Sequence, residues 1–455
     1  MKKISLVLLL LLMVTAAALP KEATPTPEQA QETLAPISLS IPVEEVLSEI
    51  NQPKIETTTY FSSLALHFSL LTNTLEHVAE AMQVGLDVLS SAPEESTEYR
   101  AMWISYLELA QRDLSTKEKF HAEMYTMFSQ CKSLGLNRVI VQVRPFGDAL
   151  YPSDIYPWSD FISGTQGVAP DFDPLEEMIT LAHSMGLQFE AWVNPYRARL
   201  NNSIPTAFSA DNPANNSEFV WQVGEGIYYN PALPEVQAMV VEGIREIVEN
   251  YDVDGIHMDD YFYPSTDLSL DKEEYLASGT ILSQGDWRRE NVNNLVRTIY
   301  ATVKSIDPSV KFGVSPQGNN DNNYNSQYSD VNLWLSTPGY VDYIIPQIYW
   351  GFDFILSNGS TKYQYLNALN MWNDYPRHQD VELYIGLAAY RIGDGDGSSY
   401  TKEEWNSGRN IAEMILALRE LELHGYVLFR HDFLFNNASH PNLAQAECEA
   451  MKEIN

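Results

Sequence analysis

The sequence predicts an α/β protein, a (β/α)8 TIM barrel with a small N-terminal appendage after a signal peptide. Three observations predict it. The chain has 455 residues, enough for one large barrel and additional segments. Short runs rich in β-branched and aromatic residues alternate with longer runs of helical periodicity, which is typical of βα units around a parallel sheet. Eight such strand-like runs match the barrel, and no glycine-rich phosphate turn follows the first of them, as a doubly wound sheet would favour.

The barrel is predicted to occupy residues 96–455. Its strands are predicted at 99–105, 138–143, 188–193, 255–258, 311–314, 343–348, 383–387 and 426–429. Its helices are predicted at 117–134, 174–185, 234–250, 287–306, 360–373, 402–424 and 443–454, with a shorter connection at 329–335.

The segment before the barrel divides into three parts. A cationic start and an apolar run ending in Ala16-Ala17-Ala18 predict a signal peptide at 1–18. Residues 19–36 are rich in Pro, Thr, Ala, Glu and Gln, which predicts a disordered linker. Residues 37–95 form an N-terminal appendage whose role the sequence leaves open. The signal peptide predicts a protein that is secreted or associated with the cell envelope, without a transmembrane span after cleavage.

Charge narrows the classes of partner. The formal net charge is −33, from 28 Lys and Arg against 61 Asp and Glu. Such an acidic chain argues against nucleic acid and against an anionic membrane surface as partners. The 2 cysteines, Cys131 and Cys448, each fall on a predicted helix and have no metal-ligand spacing around them. A disulfide between them remains an open possibility, and the oligomeric state is not predicted.

The most informative motif follows the fourth predicted strand. The apolar run 255–258 leads directly into Asp259 and Asp260, and aromatic residues and a proline come next. Like charges held close together favour the protonated form of one member, which is what an acid/base pair needs. Aspartates also cap turns without any catalytic role. In a barrel, however, catalytic groups lie at the carboxyl ends of the strands, where this pair is predicted to be.

Polar and aromatic residues also lie at or beside other strand ends. His257 alternates with Asp259 along its strand and is equally consistent with a buried, hydrogen-bonded histidine. The predicted substrate-binding residues are Arg100, Gln142, Arg144, Asn194, Tyr196, Arg197, His257, Tyr261, Tyr263, Gln347, Tyr349, Trp350 and Arg430.

Several ordered motifs carry a resemblance to a known family. They are Tyr99-Arg100-Ala101-Met102-Trp103, Val141-Gln142-Val143-Arg144-Pro145, Trp192-Val193-Asn194-Pro195-Tyr196-Arg197, the run from Asp254 to Pro264, and Pro346-Gln347-Ile348-Tyr349-Trp350. Over residues 98–435 the chain resembles the bacterial glycosyl-hydrolase-like family ten, with Ala101 where many members carry Gly. That family includes a divisome-associated glycosidase that acts on peptidoglycan glycan strands stripped of stem peptides. The resemblance implies hydrolysis of glycosidic bonds in peptidoglycan or another N-acetylated bacterial glycan.

Two mechanisms are compatible with this resemblance. In the first, the 2-acetamido group of the substrate attacks the anomeric carbon. By analogy with substrate-assisted hexosaminidases, Asp259 orients that amide and Asp260 is the general acid. Tyr349 is then a further hydrogen-bond partner of the amide. In the second, one aspartate is nucleophile or base, and a distant acid such as Glu190 is its partner.

Two other classes of function compete with a glycosidase. A non-catalytic glycan-binding barrel of the cell envelope would keep Trp350 and the tyrosines, as surfaces for sugar rings, without needing both Asp259 and Asp260. A metal-dependent hydrolase or deacetylase would require clustered ligands, whereas the 9 histidines are scattered without a paired motif. The sequence therefore predicts no metal and no cofactor.

Overall fold

The computed structural model describes residues 98–201, 207–398 and 402–455. The predicted signal peptide, linker and appendage lie outside these residues. Across the described ranges no helix is long and apolar enough to cross a membrane.

The described residues contain thirteen strands in two sheets. The strands are β1 Tyr99–Ile104, β2 Arg138–Arg144, β3 Gln188–Val193, β4 Arg197–Arg199, β5 Val220–Val223, β6 Gly226–Tyr229, β7 Gly255–Met258, β8 Lys311–Val314, β9 Tyr343–Ile344, β10 Gln347–Ile348, β11 Glu382–Leu383, β12 Ile385–Leu387 and β13 Gly425–Leu428. Ten of them form one parallel sheet, and β4, β6 and β5 form a small antiparallel sheet.

The parallel sheet closes into a barrel. Neighbours pair in the order β1, β2, β3, β7, β8 and β9, and β13 pairs back onto β1. The sixth barrel strand consists of β9 and β10, and the seventh consists of β11 and β12. Their first halves pair with each other, as do their second halves, and β12 continues the ring to β13. The predicted eight-stranded (β/α)8 barrel is therefore confirmed.

Helices alternate with the strands and cover the outside of the barrel. They span Tyr106–Leu109, Lys117–Ser133, Asp160–Ser163, Pro174–Ser184, Pro234–Asn250, Lys272–Ser278, Gln284–Ile306, Asn320–Asn325, Val331–Ser336, Tyr365–Asn373, Asn410–Glu420, His431–Phe435 and Pro441–Ile454, with short 3-10 turns at Pro213–Asn215, Ala389–Arg391 and Glu404–Asn406. Local sequence fixes several helix starts. Thr116, Asp173 and Ser283 accept backbone N–H groups as N-caps, and proline occupies the first turn at Pro174, Pro234 and Pro441.

Two apolar layers hold the barrel. The larger lies between the strands and the helices. The smaller fills the barrel interior and is unusually aromatic, with Tyr99, Trp103, Trp192 and Tyr343 among its members. Gly313 is required here, because a Cβ at this position would lie 1.9 Å from the ring of Tyr343. Aromatic rings therefore fill the barrel interior, and they leave no room for a side chain at position 313.

The structure differs from the predicted elements at a few places. The sixth strand is interrupted between Ile344 and Gln347, since Pro346 has no N–H to donate to a ladder. The predicted helix 402–424 begins only at Asn410, after Gly408 with φ +70°. The small antiparallel sheet after β3 was not predicted. Cys131 and Cys448 lie on helices as predicted, and both are buried free thiols.

Candidate active site

A pocket of about 350 Å³ lies at the carboxyl ends of the barrel strands. Strand-end residues and the loops that follow them line it. The lining residues are Trp103, Ser105, Tyr106, Leu107, Gln142, Trp192, Arg197, Asp259, Asp260, Tyr261, Ser315, Gln347, Tyr349, Tyr390 and Phe429. This is the end of a (β/α)8 barrel at which active sites are found.

The two aspartates lie at the exit of β7, whose four residues are all buried. Asp259 is 5% exposed, and its Oδ1 accepts the backbone N–H of Tyr261 at 3.2 Å. Asp260 is half-buried and accepts a hydrogen bond from Gln347 Nε2 at 3.3 Å. Among the described residues that line the pocket, these two supply its carboxylates. The catalytic pair predicted from sequence therefore lies inside the pocket.

The two carboxyl groups differ in the surroundings that shift their pKa values. Burial, reinforced by the charge of Asp260, raises the pKa of Asp259 from 3.8 to about 8. Burial also raises the pKa of Asp260, but hydrogen bonds from Gln317 and Gln347 favour its ionised form and oppose that rise. These shifts favour retention of one proton by the pair at neutral pH, and the larger effect of burial favours Asp259 as its holder.

The amide of Gln347 and the phenol of Tyr349 line the pocket together with the aspartate pair. Gln347 Nε2 bridges Asp260 and the carbonyl oxygen of Ser315, the latter at 3.0 Å. Tyr349 follows β10, and its ring packs 5.8 Å from Phe429 and 5.5 Å from Tyr390. These contacts fix both side chains at the wall of the pocket, as the sequence predicts.

A second set of hydrogen bonds supports the opposite wall. Asn194 Oδ1 accepts from Gln142 Nε2 at 3.1 Å and from Trp192 Nε1 at 3.0 Å. Gln142 and Trp192 line the pocket, whereas Asn194 lies directly behind them. The predicted residue Asn194 therefore supports the pocket from behind.

Arg197 reaches the pocket because the small antiparallel sheet carries it there. It begins β4, which pairs with β6 at Tyr228. The residue is 5% exposed, yet its guanidinium has no carboxylate within 4 Å and its Nε has no partner in the described parts of the chain. Its guanidinium lies over aromatic faces, with the ring of Tyr261 at 4.6 Å and that of Phe146 at 5.1 Å. Its charge also acts to lower the pKa of Asp259 and of Asp260, against the larger effect of burial.

Several other residues predicted to bind substrate lie elsewhere. Arg100 donates to the carbonyl of Asn455 at 3.3 Å, because it lies at the amino end of β1 and not at its rim. Tyr263 is buried, and its hydroxyl accepts from Asn291 at 3.3 Å. Tyr196 is fully buried outside the pocket. These three residues are not brought to the site.

The other positions outside the pocket also have structural partners. Arg144 is fully buried with its guanidinium 4.5 Å from the ring centroid of Tyr156. Trp350 stacks on Tyr363 at 4.6 Å, beyond the pocket wall. Arg430 forms an ion pair with the buried Glu108.

His257 lies in the barrel interior below the pocket, and of its two interpretations the buried, hydrogen-bonded one is confirmed. It is fully buried between Trp103 and Tyr343. Glu190, the distant acid of the second mechanism, is also fully buried and accepts a hydrogen bond from Tyr99 at 2.8 Å. Neither residue lines the pocket. The geometry therefore gives no support to Glu190 as a catalytic partner.

Some pocket residues were not among those predicted to form the site. Trp103 and Trp192 resemble ordinary barrel packing in the sequence, because they lie inside apolar strands. Ser315, Tyr390 and Phe429 follow strands five, seven and eight, so their position at strand ends was a usable signal.

Glu108 had no such signal. It receives the backbone N–H of Ser105 at 2.9 Å and thereby fixes the segment from Ser105 to Leu107 against the pocket.

Over residues 98–201, 207–398 and 402–455, no group of three or more His, Cys, Asp or Glu side chains is placed to hold a metal ion.

The known proteins that this chain resembles in sequence are named as glycosyl hydrolases. Residues 98–406 match the family model described as Glycosyl hydrolase-like 10. Glycosyl hydrolase YngK of Bacillus subtilis (strain 168) is 37% identical over 355 residues, which are 72% of this chain and 67% of that protein. Glycosyl hydrolase DigH of Escherichia coli (strain K12) is 35% identical over 342 residues, 68% of this chain and 75% of that protein.

A solved structure agrees at the level of the fold. The PgaB (BpsB) glycoside hydrolase domain from Bordetella bronchiseptica superposes with a TM-score of 0.52 at 14% identity, over 78% of this chain and 99% of that chain. The relatives together support glycoside hydrolase activity on a carbohydrate substrate. The family that the sequence motifs indicate is confirmed, and this chain belongs to Glycosyl hydrolase-like 10.

Proposed function

We propose that this protein hydrolyses glycosidic bonds in an N-acetylated bacterial glycan, with Asp259 and Asp260 as its catalytic pair. The observation that carries the proposal is the placement of both carboxyl groups in one pocket at the carboxyl end of the barrel. A carboxyl group whose pKa burial raises to about 8 is unfavourable for folding at neutral pH and suited to proton transfer. A barrel that only binds glycan has no use for this arrangement.

The proposed reaction is substrate-assisted. The acetamido oxygen attacks the anomeric carbon, the bond from that carbon to the leaving oxygen breaks, and the protonated aspartate gives its proton to the leaving oxygen. Water then attacks the anomeric carbon and opens the resulting oxazolinium ring, and the aspartate recovers a proton from that water. We prefer this reaction to the one with a distant acid, because Glu190 lies outside the pocket that holds the adjacent residues Asp259 and Asp260.

Substrate binding is proposed to move the proton within the pair. Before substrate binds, the raised pKa of Asp259 favours this residue as its holder. An acetamido N–H that donates to Asp259 favours the ionised form of that residue, and the remaining proton then belongs to Asp260. Asp259 thereby orients the amide and Asp260 becomes the general acid. Tyr349, at the pocket wall, is in place to hydrogen-bond the same amide.

The pH dependence of the free enzyme follows from the same electrostatics. The pair loses its last proton as the pH rises through about 8, and the acid is then absent. We expect kcat/KM to fall on the alkaline side with an apparent pKa of about 8. A pH profile of kcat/KM, measured with a chromogenic 2-acetamido glycoside, checks this. A rate that stays constant from pH 7 to about pH 10 would contradict it.

Arg197 supports an anionic glycan as the substrate. The protein carries a net charge of −33, yet the pocket contains the buried guanidinium of Arg197, which has no carboxylate within 4 Å in the described parts of the chain. A lactyl carboxylate, as in peptidoglycan, would form an ion pair with it, and the local field of Arg197 would outweigh the repulsion from the distant surface. We therefore propose peptide-free peptidoglycan as the substrate of a secreted or envelope-associated enzyme.

Arg197→Gln tests this assignment. We expect roughly 10- to 100-fold lower kcat/KM on peptide-free glycan strands, because one charge-assisted contact is lost. On the same glycan with its carboxyl groups chemically reduced, wild type and variant should be nearly equal. Arg245→Gln, which changes a surface arginine whose side chain is 36% exposed, is the matched control. An equal loss on both glycans would show that Arg197 does not read the carboxylate.

One direct experiment tests the proposed function as a whole. The protein is incubated with peptide-free peptidoglycan and, separately, with neutral glucans, and the products are read by mass spectrometry. Sugar fragments from the first substrate alone support the proposal. Binding without any fragments would favour the non-catalytic glycan-binding barrel.

A further inference from the structure

A hydrogen-bonded network crosses the interior of the barrel below the pocket. Trp103 Nε1 donates to His257 Nε2 at 3.1 Å, and His257 Nδ1 lies 3.2 Å from the hydroxyl oxygen of Tyr343. The Tyr343 hydroxyl donates in turn to Glu190 Oε2. We call these four residues the interior network. All of them are buried, with Trp103 at 2% exposure and His257 and Glu190 at 0%.

Donor and acceptor chemistry fixes the direction of every bond in the interior network. An indole N–H can only donate, so His257 Nε2 must accept and the ring proton must be on Nδ1. That proton is donated to Tyr343, whose own hydrogen is directed at Glu190. Burial lowers the pKa of His257 to about 3, so the ring remains neutral and keeps this tautomer in the pH range of catalysis.

The far end of the network is anchored by a carboxylate with several donors. Glu190 Oε1 accepts from the hydroxyl of Tyr99 at 2.8 Å and lies 3.4 Å from Arg138 Nη1. These donors, with Tyr343, satisfy both oxygens of Glu190. A fully satisfied buried network is rigid, since each member is held by the next.

The member of the interior network that reaches the pocket is Trp103. It lines the pocket together with Trp192, and the N–H of its indole is directed at His257. The orientation of one of the two indoles on the pocket wall is thus set by a residue that does not line the pocket.

We propose that Trp103 forms the part of the pocket wall that sets its depth beside the aspartate pair, and that His257 is a positioning residue that fixes its indole. An indole that is 2% exposed offers no open face for stacking, but its position determines the space left for the sugar. Tyr343 and Glu190 hold the His257 ring in the required tautomer. This proposal rests on the proposed function, because it assigns a role to residues around the same pocket.

The test combines a spectroscopic signal with substrate binding. The 9 tryptophans are labelled with 5-fluorotryptophan, and the Trp103 resonance is assigned by its absence in Trp103→Phe. His257→Phe removes the acceptor of the indole N–H. We expect the Trp103 resonance to shift and KM for an N-acetylated oligosaccharide to rise roughly 10-fold, with kcat changed less than KM. His257→Gln, which can both accept from Trp103 and donate to Tyr343, should largely restore both readouts.

A double-mutant cycle separates positioning from simple structural damage. If His257 acts through Trp103, the KM effects of His257→Phe and Trp103→Phe should not add in the double variant. Additive effects, or an unshifted Trp103 resonance in His257→Phe, would overturn the proposal. If the wild-type protein neither binds nor cleaves oligosaccharides, the proposed function fails, while the fluorine resonance still reports on the His257–Trp103 contact.

Discussion

Replacing Asp260 with Asn is expected to lower kcat/KM on peptide-free glycan by roughly 10²- to 10⁴-fold, the range that general acid catalysis supplies. The variant keeps the shape and the hydrogen-bonding capacity of the side chain, so the fold should be retained. The loss should be much smaller on an aryl glycoside whose phenol leaves without protonation. Steady-state kinetics on both substrates is the measurement.

The control for Asp260→Asn is Asp252→Asn. Asp252 lies in the same segment of sequence, before β7, and its side chain is 95% exposed. This variant should have the activity of the wild type. Near-normal turnover in Asp260→Asn would exclude the assigned role. An equal loss with both leaving groups would instead assign Asp260 to a step other than proton donation.

Replacing Asp259 with Asn is expected to remove activity on 2-acetamido substrates and at the same time to stabilise the fold in a pH-dependent manner. The folded protein holds the Asp259 proton up to pH about 8, whereas the unfolded chain releases it near 3.8. Between these values the folded state binds more protons, so the stability of the wild type falls as the pH rises. Asn carries no titrating proton and lacks this penalty.

The expected stability difference follows directly. The free energy of unfolding of Asp259→Asn minus that of the wild type should be small below pH 4 and should grow towards pH 8, by up to about 1.4 kcal/mol for each unit by which the pKa is raised. Chemical denaturation at several pH values measures it, with Asp252→Asn as the exposed control. A difference that does not change with pH would contradict the buried, protonated state of Asp259.

Much of the barrel is predictable because its strands are apolar runs with sharp polar boundaries. The strands β3, β7 and β8 have the bounds that the sequence predicts. The sixth strand is less regular because Pro346 removes one donor from the ladder. The antiparallel sheet that carries Arg197 has strands of three or four residues, too short for periodicity to reveal.

The aspartate pair, Gln347 and Tyr349 are predictable for a related reason, since they follow strand ends directly. Arg144 illustrates the limit. Strand alternation places Gln142 and Arg144 on one face, but the register between β2 and β3 shifts at these residues. Gln142 therefore lines the pocket, whereas Arg144 packs on Tyr156 in the outer layer. A bulge of this kind depends on the neighbouring strand, and a single sequence does not encode it locally.

The interior network has a consequence for engineering. Its members and their anchors come from five strands, with Trp103 on β1, Glu190 on β3, His257 on β7 and Tyr343 on β9, while Arg138 of β2 pairs with Glu190. A designer who grafts the strand-end loops of this enzyme onto another (β/α)8 scaffold transfers the carboxylates but leaves the indole without its support. A functional transfer therefore has to include the strand-end loops and the interior network beneath them, and exchange of the loops alone is not enough.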